Sequence, residues 1–147
     1  MAFVEDVQVR DVPVGDVWSR LKDDAGSILI DVRTRSEWAF VGLPDLSGLD
    51  KRVLMVEWQT FPENRIDPDF GARLQAELDR NGTAKDTDLF FICRSGERSR
   101  MAAEAMITAG YSNCHNVADG FEGPLDVDRH RGRLAGWKAA GLPWVQG

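Results

Sequence analysis

Apolar positions along this chain keep two rhythms that take turns. Ile28 to Val32, Arg52 to Val56 and Leu89 to Ile92 are short, nearly unbroken apolar runs. Runs of that length without polar alternation read as strands covered on both faces. Cys114-His115-Asn116-Val117 reads as another strand, and a short edge strand is expected around Val7–Val9. Between these runs the apolar residues recur at helical spacing. Val14, Val17, Trp18 and Leu21 share one face, with Pro13 near the start. Thr34-x-x-Glu37 forms a capping box for a short helix through Trp38 and Phe40. Asp67 caps and Pro68 opens a helix with Phe70, Leu74 and Leu78 on one side, which Asn81-Gly82 ends. Ala102, Ala105, Met106 and Ala109 mark one face of a helix over Glu97 to Ala109, stopped by Gly110. A last helix is expected around Leu134 to Ala140.

Strands that alternate with helices, and that are apolar on both faces, predict an α/β domain built on a largely parallel sheet. No repeat, low-complexity tract or linker breaks the pattern, so one domain over residues 1–147 is expected. Ligands of such sheets bind outside the carboxyl ends of the strands. Two segments lie at such ends. One is Asp31-Val32-Arg33. The other is Cys93-Arg94-Ser95-Gly96-Glu97-Arg98, between the run ending at Ile92 and the helix that follows.

That second segment carries the chemistry. A cysteine at the end of a strand, just before a helix N-terminus, faces unpaired N–H groups and the positive end of the helix dipole. Arg94 and Arg98 add full charges, and Gly96 can adopt positive φ, which turns successive N–H groups inward as a nest. All of these favour the thiolate over the thiol. A buried structural cysteine would gain nothing from such neighbours. Cys114, by contrast, reads as a small buried thiol in a strand, and pairing between the two cysteines is not expected.

At this point the chain resembles the rhodanese-like sulfurtransferases. Their active-site loop begins with cysteine, spans six residues and ends in a cation, as Cys93 to Arg98 does. Leu29-Ile30-Asp31-Val32-Arg33, with Ser36-Glu37-Trp38, is similar to the family's early "DVR…E(W/F)" signature. Asn116-Val117-Ala118-Asp119-Gly120-Phe121-Glu122-Gly123 is similar to the late "V-x-GG-(F/W)" turn, with Asp119 where glycine is common. Trp137-Lys138-Ala139-Ala140-Gly141-Leu142-Pro143 resembles the closing "W…GLP". The four motifs stand in the family's order and span nearly the whole chain. Phe40-Val41-Gly42-Leu43-Pro44-Asp45 departs from the "GH-I-x-GA" segment of many members and lacks its histidine, and Glu57 to Asp69 is long for a plain connection. Both departures fall on the expected pocket wall.

The resemblance implies a central five-stranded, largely parallel sheet with helices on both faces. It implies sulfur transfer through a persulfide on Cys93. The donor would be a small anion such as thiosulfate, and the acceptor cyanide, a small thiol or a protein thiol. Arg94, Ser95, Gly96, Glu97, Arg98 and Ser99 would form the anion-holding loop, with Glu97 facing solvent. No metal or organic cofactor is required. Arg33 either borders the pocket or pairs with a carboxylate to brace the loops, the pairing being favoured. Trp58 and Phe61 either wall the pocket or pack beneath a loop, the packing being favoured. Trp137 and Trp144 are expected as anchors for the tail.

Cysteine phosphatases also use a thiolate in a cationic loop, but they need five residues between cysteine and arginine. Here four separate Cys93 from Arg98, and the tighter nest suits one sulfur atom better than a tetrahedral oxyanion. The alternative from another class is a binding or sensor module on the same fold, although such modules typically lose the cysteine or scramble its loop.

Bulk properties narrow the choice further. With 43% hydrophobic and 29% charged residues the chain is globular in composition. Its net charge of −6 argues against a nucleic-acid or anionic-membrane surface. Any anionic substrate must therefore be drawn locally, against the overall field. No run approaches the roughly 18 apolar residues of a membrane span. Met1 to Asp6 lacks the basic and apolar regions of a signal peptide, so a reducing cytoplasm is the expected compartment. Two cysteines and two histidines without close pairing do not match zinc spacing. Arg129-His130-Arg131-Gly132-Arg133 is a basic run balanced by Asp126 and Asp128. A solvated loop is the favoured reading, with a reach over the active site or a partner site left open.

Overall fold

The computed structural model describes residues 9–146. The elements, in chain order, are β1 (Arg10–Val12), α1 (Val14–Asp23), β2 (Ile28–Asp31), α2 (Arg35–Phe40), β3 (Leu43–Pro44), a 3-10 turn (Ser47–Leu49), β4 (Leu54–Met55), β5 (Gln59–Thr60), β6 (Arg65–Ile66), α3 (Phe70–Arg80), β7 (Leu89–Ile92), α4 (Glu97–Thr108), β8 (Cys114–Val117) and β9 (Trp144–Val145). Five strands form the central sheet in the order β1-β8-β7-β2-β4, and every neighbouring pair is parallel. Parallel strands need crossovers, and the crossovers place helices on both faces.

Two apolar clusters divide at the sheet. On one face Ile30, Val32, Leu89 and Phe91 meet Phe70, Leu74 and Leu78 of α3 and Ala102, Ala103 and Met106 of α4. On the other Leu29, Phe90 and Ile92 meet Val17 and Leu21 of α1, together with Phe121 and Trp137. Strand β7 alternates between the two clusters, and its four residues are fully buried. Each such side chain contributes roughly 1.5–3 kcal/mol of burial. The loop that follows therefore hangs from the most firmly held strand of the sheet.

Several expectations are refined here. The edge strand expected around Val7–Val9 lies largely outside the described residues, and β1 begins at Arg10. The strand expected from Arg52 to Val56 shortens to Leu54–Met55, where it pairs with β2. Helix α3 begins at Phe70, because Asp67 makes a turn before it. The Asp67 Oδ1 accepts the Asp69 N–H at 2.8 Å, and its carbonyl accepts the Phe70 N–H at 3.1 Å. Helix α4 buries Ser99, Ala102, Ala103 and Met106, so its inner face excludes Ala109. The stretch from Glu57 to Asp69 is long because it contains the antiparallel β5–β6 hairpin.

No helix forms around Leu134 to Ala140. The segment instead threads against the 119–123 turn. The Trp137 N–H donates to the Gly120 carbonyl at 2.8 Å and the Lys138 N–H to the Phe121 carbonyl at 3.2 Å. Gly136, at φ +99°, lies so close to this turn that a Cβ there would meet the Gly120 oxygen at 2.9 Å. Contacts of that closeness favour an irregular, glycine-bearing path over a helix. Trp137 itself is an anchor, fully buried and with its indole N–H donating to the Pro143 carbonyl at 2.7 Å. Trp144 is partly exposed and packs edge-on against Phe121.

Candidate active site

The chain leaves β7 at Ile92 and enters α4 at Glu97, and the turn between them forms a cup around one sulfur atom. Gly96 precedes the helix at φ +113°, a conformation that glycine reaches without strain. Its N–H then points back at Cys93, 3.1 Å from Sγ. The Ser99 N–H lies 3.4 Å from the same sulfur, and the Ser99 Oγ 3.1 Å from it. Cys93 is only 1% exposed and rests on the apolar cluster below it. Yet it forms part of the floor of a hollow of about 290 Å³, walled by Gln59, Arg94, Ser95, Glu97, Arg98 and Met101. The amides turn inward, so the sulfur is held by donors rather than sealed in hydrocarbon.

The late glycine turn braces this cup from behind. The Phe121 N–H donates to the Cys93 carbonyl at 2.8 Å, and the Glu122 and Gly123 N–H groups converge on the Arg94 carbonyl at 2.9 and 3.1 Å. A Cβ on Gly120 would sit 2.4 Å from the Cys93 oxygen, so only glycine admits the approach. Asp119 adopts φ 64°, a region that aspartate enters more readily than most residues. That explains how it stands where glycine is common.

Asn116 was not singled out by the sequence, and it holds the cup from the side. Its Nδ2 donates to the Gly96 carbonyl at 3.0 Å and to Asp11 Oδ1 at 2.9 Å. Its Oδ1 thereby faces the Ser99 hydroxyl at 2.5 Å. Ser99 has one hydroxyl proton, and Asn116 and the sulfur compete for it. The available signal was a lone amide in a strand that must be buried, because such groups need partners.

Arg98 does not extend freely over the cup. Its Nη1 and Nη2 donate to both carboxylate oxygens of Glu37 on α2, at 2.6 and 2.9 Å. Burial alone would push the Glu37 carboxyl up. The Arg98 guanidinium and the Thr34 amide outweigh that and hold it below the usual carboxylate range. Burial likewise acts to lower Arg98, and Glu37 more than offsets it, so its pKa lies above the usual value. Glu37 also completes the expected capping box with Thr34. One side chain therefore joins α2 to the start of α4. Arg94 is exposed, and no carboxylate partner is found for it among the described residues. Ser95 is half-buried, and Glu97 faces solvent as expected.

The two residues left open as pocket border, Arg33 and Trp58, lie inside the protein, as the favoured readings had it. Arg33 is fully buried, with Nε and Nη2 on the Asp31 carboxylate and Nη2 also donating to the Gly42 carbonyl at 2.8 Å. Its guanidinium lies over the Phe121 ring at 4.3 Å. Arg33 braces the loops and does not border the pocket. Trp58 packs edge-on against Phe70 in the core and is likewise not a wall. Phe61, by contrast, is 63% exposed and does wall a cleft. Cys114 is a free buried thiol, and burial pushes its pKa up to about 12.

That cleft, of about 680 Å³, adjoins the cup and shares Gln59, Arg94 and Arg98 with it. Phe40 of α2 and Phe61 of the β5–β6 hairpin contribute aromatic walls, and Arg131 of the basic run completes one side. No helix among the described residues is long and apolar enough to cross a membrane.

Comparison with known proteins agrees with this architecture. A family model described as the STR4 middle domain matches residues 12–147. The crystal structure of Rv0390 from M. tuberculosis is similar at 43% identity and a TM-score of 0.83, over 95% of this chain and 98% of that one. The uncharacterized protein RC0915 of Rickettsia conorii is 34% identical over 94% of this chain and 98% of its own length. A protein named sulfurtransferase from Allochromatium vinosum is 25% identical over 93% and 95% respectively. The chloroplastic rhodanese-like domain-containing protein 4 of Arabidopsis thaliana is 24% identical over 89% of this chain, which spans 24% of that longer protein. The chain belongs to the family described as the STR4 middle domain and, by its fold and its named relatives, to the rhodanese-like sulfurtransferases.

Proposed function

We propose that the protein moves a sulfane sulfur from a small anionic donor, such as thiosulfate, to a thiol through a persulfide on Cys93. The observation that carries this reading is the pair of backbone donors on one sulfur, the Gly96 and Ser99 N–H groups, with the Ser99 hydroxyl beside them sharing its proton between the sulfur and Asn116. Fixed donors around an anion need no reorganisation when charge arrives, and this is how a preorganised site stabilises it.

In the first half-reaction the Cys93 thiolate attacks the outer sulfur of thiosulfate. A new S–S bond forms, the old one breaks, and sulfite leaves with the electron pair. The terminal sulfur of the persulfide then lies in the hollow above the cup, with the helix dipole and Arg94 near it. In the second half-reaction an acceptor thiolate attacks that terminal sulfur, and Cys93 is released as thiolate. Every step is a displacement at sulfur and none requires an outside oxidant or reductant.

The pairing of Arg98 argues against phosphate-ester hydrolysis. A phosphatase loop uses its arginine fork on the phosphoryl oxygens, and here Glu37 occupies that fork. A thiosulfate-to-cyanide assay tests the proposal, with Cys93→Ala as control. Thiosulfate treatment is expected to add one sulfur atom, about 32 Da by intact mass, on Cys93. Turnover in Cys93→Ala near the wild-type rate, or sulfur found on Cys114, would overturn the assignment.

A further inference from the structure

The hollow over Cys93 is large enough for an inorganic donor, yet a cleft more than twice its volume opens beside it. Neither thiosulfate nor cyanide needs that space. Its walls are of two kinds. Phe40 is 80% exposed and Phe61 63%, an unusual exposure for two phenylalanines that flank one cleft. Arg94 and Arg131 supply guanidinium groups that lack carboxylate partners among the described residues, in a chain whose net charge is −6.

Arg131 is not a loose surface cation. Its Nη1 donates to the Gly123 carbonyl at 2.7 Å, and the neighbouring Gly132 N–H donates to the Glu122 carbonyl at 2.6 Å. The basic run is thus tied to the turn that braces Cys93, and one of its arginines is half-buried in the cleft wall. The other cations of the run differ: Arg133 pairs with Asp126 and Arg129 is exposed. The acidic groups at the cleft leave the balance positive. Glu37 is neutralised by Arg98, and Glu122 stands alone against Arg94 and Arg131.

Resting on the sulfurtransferase reading above, we propose that this cleft is the acceptor site, and that the acceptor it selects is an organic thiol bearing a carboxylate and an apolar group. Arg131 takes the carboxylate, Phe40 and Phe61 take the apolar group, and the thiol reaches the persulfide past Gln59 and Arg94. The thiolate attacks the terminal sulfur, a new S–S bond forms on the acceptor, the bond to Cys93 breaks, and the electron pair returns to Cys93. Aromatic surface together with a planar cationic fork suits such a ligand, because guanidinium binds carboxylate through two parallel donors. The departures from the family pattern at Phe40 to Asp45 and at the β5–β6 hairpin are the segments that supply the two phenylalanines.

The test separates loading from discharge. The full chain is charged with thiosulfate, the persulfide is confirmed by intact mass, and excess donor is removed. Discharge is then followed with N-acetylcysteine, its C-terminal amide and N-benzoylcysteine, with rates expressed per thiolate. The acid is expected to outpace its amide by about tenfold, and the benzoyl compound to outpace the acetyl compound. Arg131→Ala is expected to bring the acid-to-amide ratio close to one, and Phe61→Ala the benzoyl-to-acetyl ratio. Equal rates for acid and amide in the wild type would overturn the inference, as would an Arg131→Ala variant that slows both alike. Discharge by cyanide but by none of the three thiols would also overturn it. If no persulfide forms at all, it is the sulfurtransferase reading that fails, and the two failures are distinguishable.

Discussion

Replacing Glu37 by glutamine tests how the helix after the loop is held. The substitution keeps the shape of the side chain and one oxygen for the Thr34 capping box. It removes the charge and sets an NH2 group against a guanidinium nitrogen that now lies 2.9 Å from a carboxylate oxygen. Exposed ion pairs contribute about 0–1 kcal/mol. Breaking a fully buried pair costs about 3–5 kcal/mol. The two side chains are 17% and 20% exposed, which places this pair between the limits at about 2 kcal/mol. For a domain of this size each kcal/mol moves the melting temperature by roughly 4 °C, so a fall of about 8 °C is expected. The pH dependence gives a second reading. The carboxyl of Glu37 is depressed in the folded state, and its ordinary value is 4.5. Its contribution is therefore fully present above pH 4.5 and is lost as pH falls through the lower, folded value. Urea denaturation of wild type and Glu37→Gln should differ most at pH 7, and the difference should close progressively below pH 4.5. A gap of equal size at pH 3 and pH 7 would refute the reasoning, and so would no gap at pH 7. Sulfur loading should fall only several-fold, because the donors on the sulfur come from Gly96 and Ser99.

Other expectations follow from the same geometry. Ser99→Ala keeps the N–H but loses the hydroxyl, and a hydrogen bond to a charged group is worth about 1.5–3 kcal/mol. Turnover should drop roughly 10- to 100-fold with little change in the circular dichroism spectrum, and a rate within twofold of wild type would exclude the hydroxyl from the reaction. Asn116→Ala removes the ties to Gly96 and Asp11 as well as the Ser99 partner, so a larger loss of stability than in Ser99→Ala is expected on urea denaturation. Gly120→Ala combines a left-handed backbone with a Cβ 2.4 Å from the Cys93 oxygen, and a loss of about 3 kcal/mol is expected; a neutral result would mean that the loop moves freely. Peptide mapping after iodoacetamide treatment of the folded protein at pH 8 should find Cys93 alkylated and Cys114 untouched, since the Cys114 thiol is pushed up to about 12.

Local chemistry made much of this protein legible before its structure. The strand run Leu89 to Ile92, the Thr34–Glu37 capping box and the helix stop at Gly110 all depend on neighbours within a few residues, and all three stand in the fold. The cup over Cys93 was readable for the same reason, because Gly96 and Ser99 lie three and six residues from the sulfur they face. What stayed hidden are partners that meet only across the fold. Glu37 and Arg98 are 61 residues apart, and sequence offers Glu37 a sufficient local role in its capping box, which concealed the distant one. Arg33, by contrast, pairs with a carboxylate two residues away, as its local sequence suggested, whereas the approach of Arg131 to the cleft depends on the turn at Glu122 and Gly123. Sequence determined the central strands, most of the helices and which sulfur sits in a turn of inward-facing donors, because torsional preference and hydrogen-bond spacing act over a few residues. Tertiary structure alone decided which cations remain free to meet a ligand, because pairing depends on which loops the sheet order brings to the same strand ends.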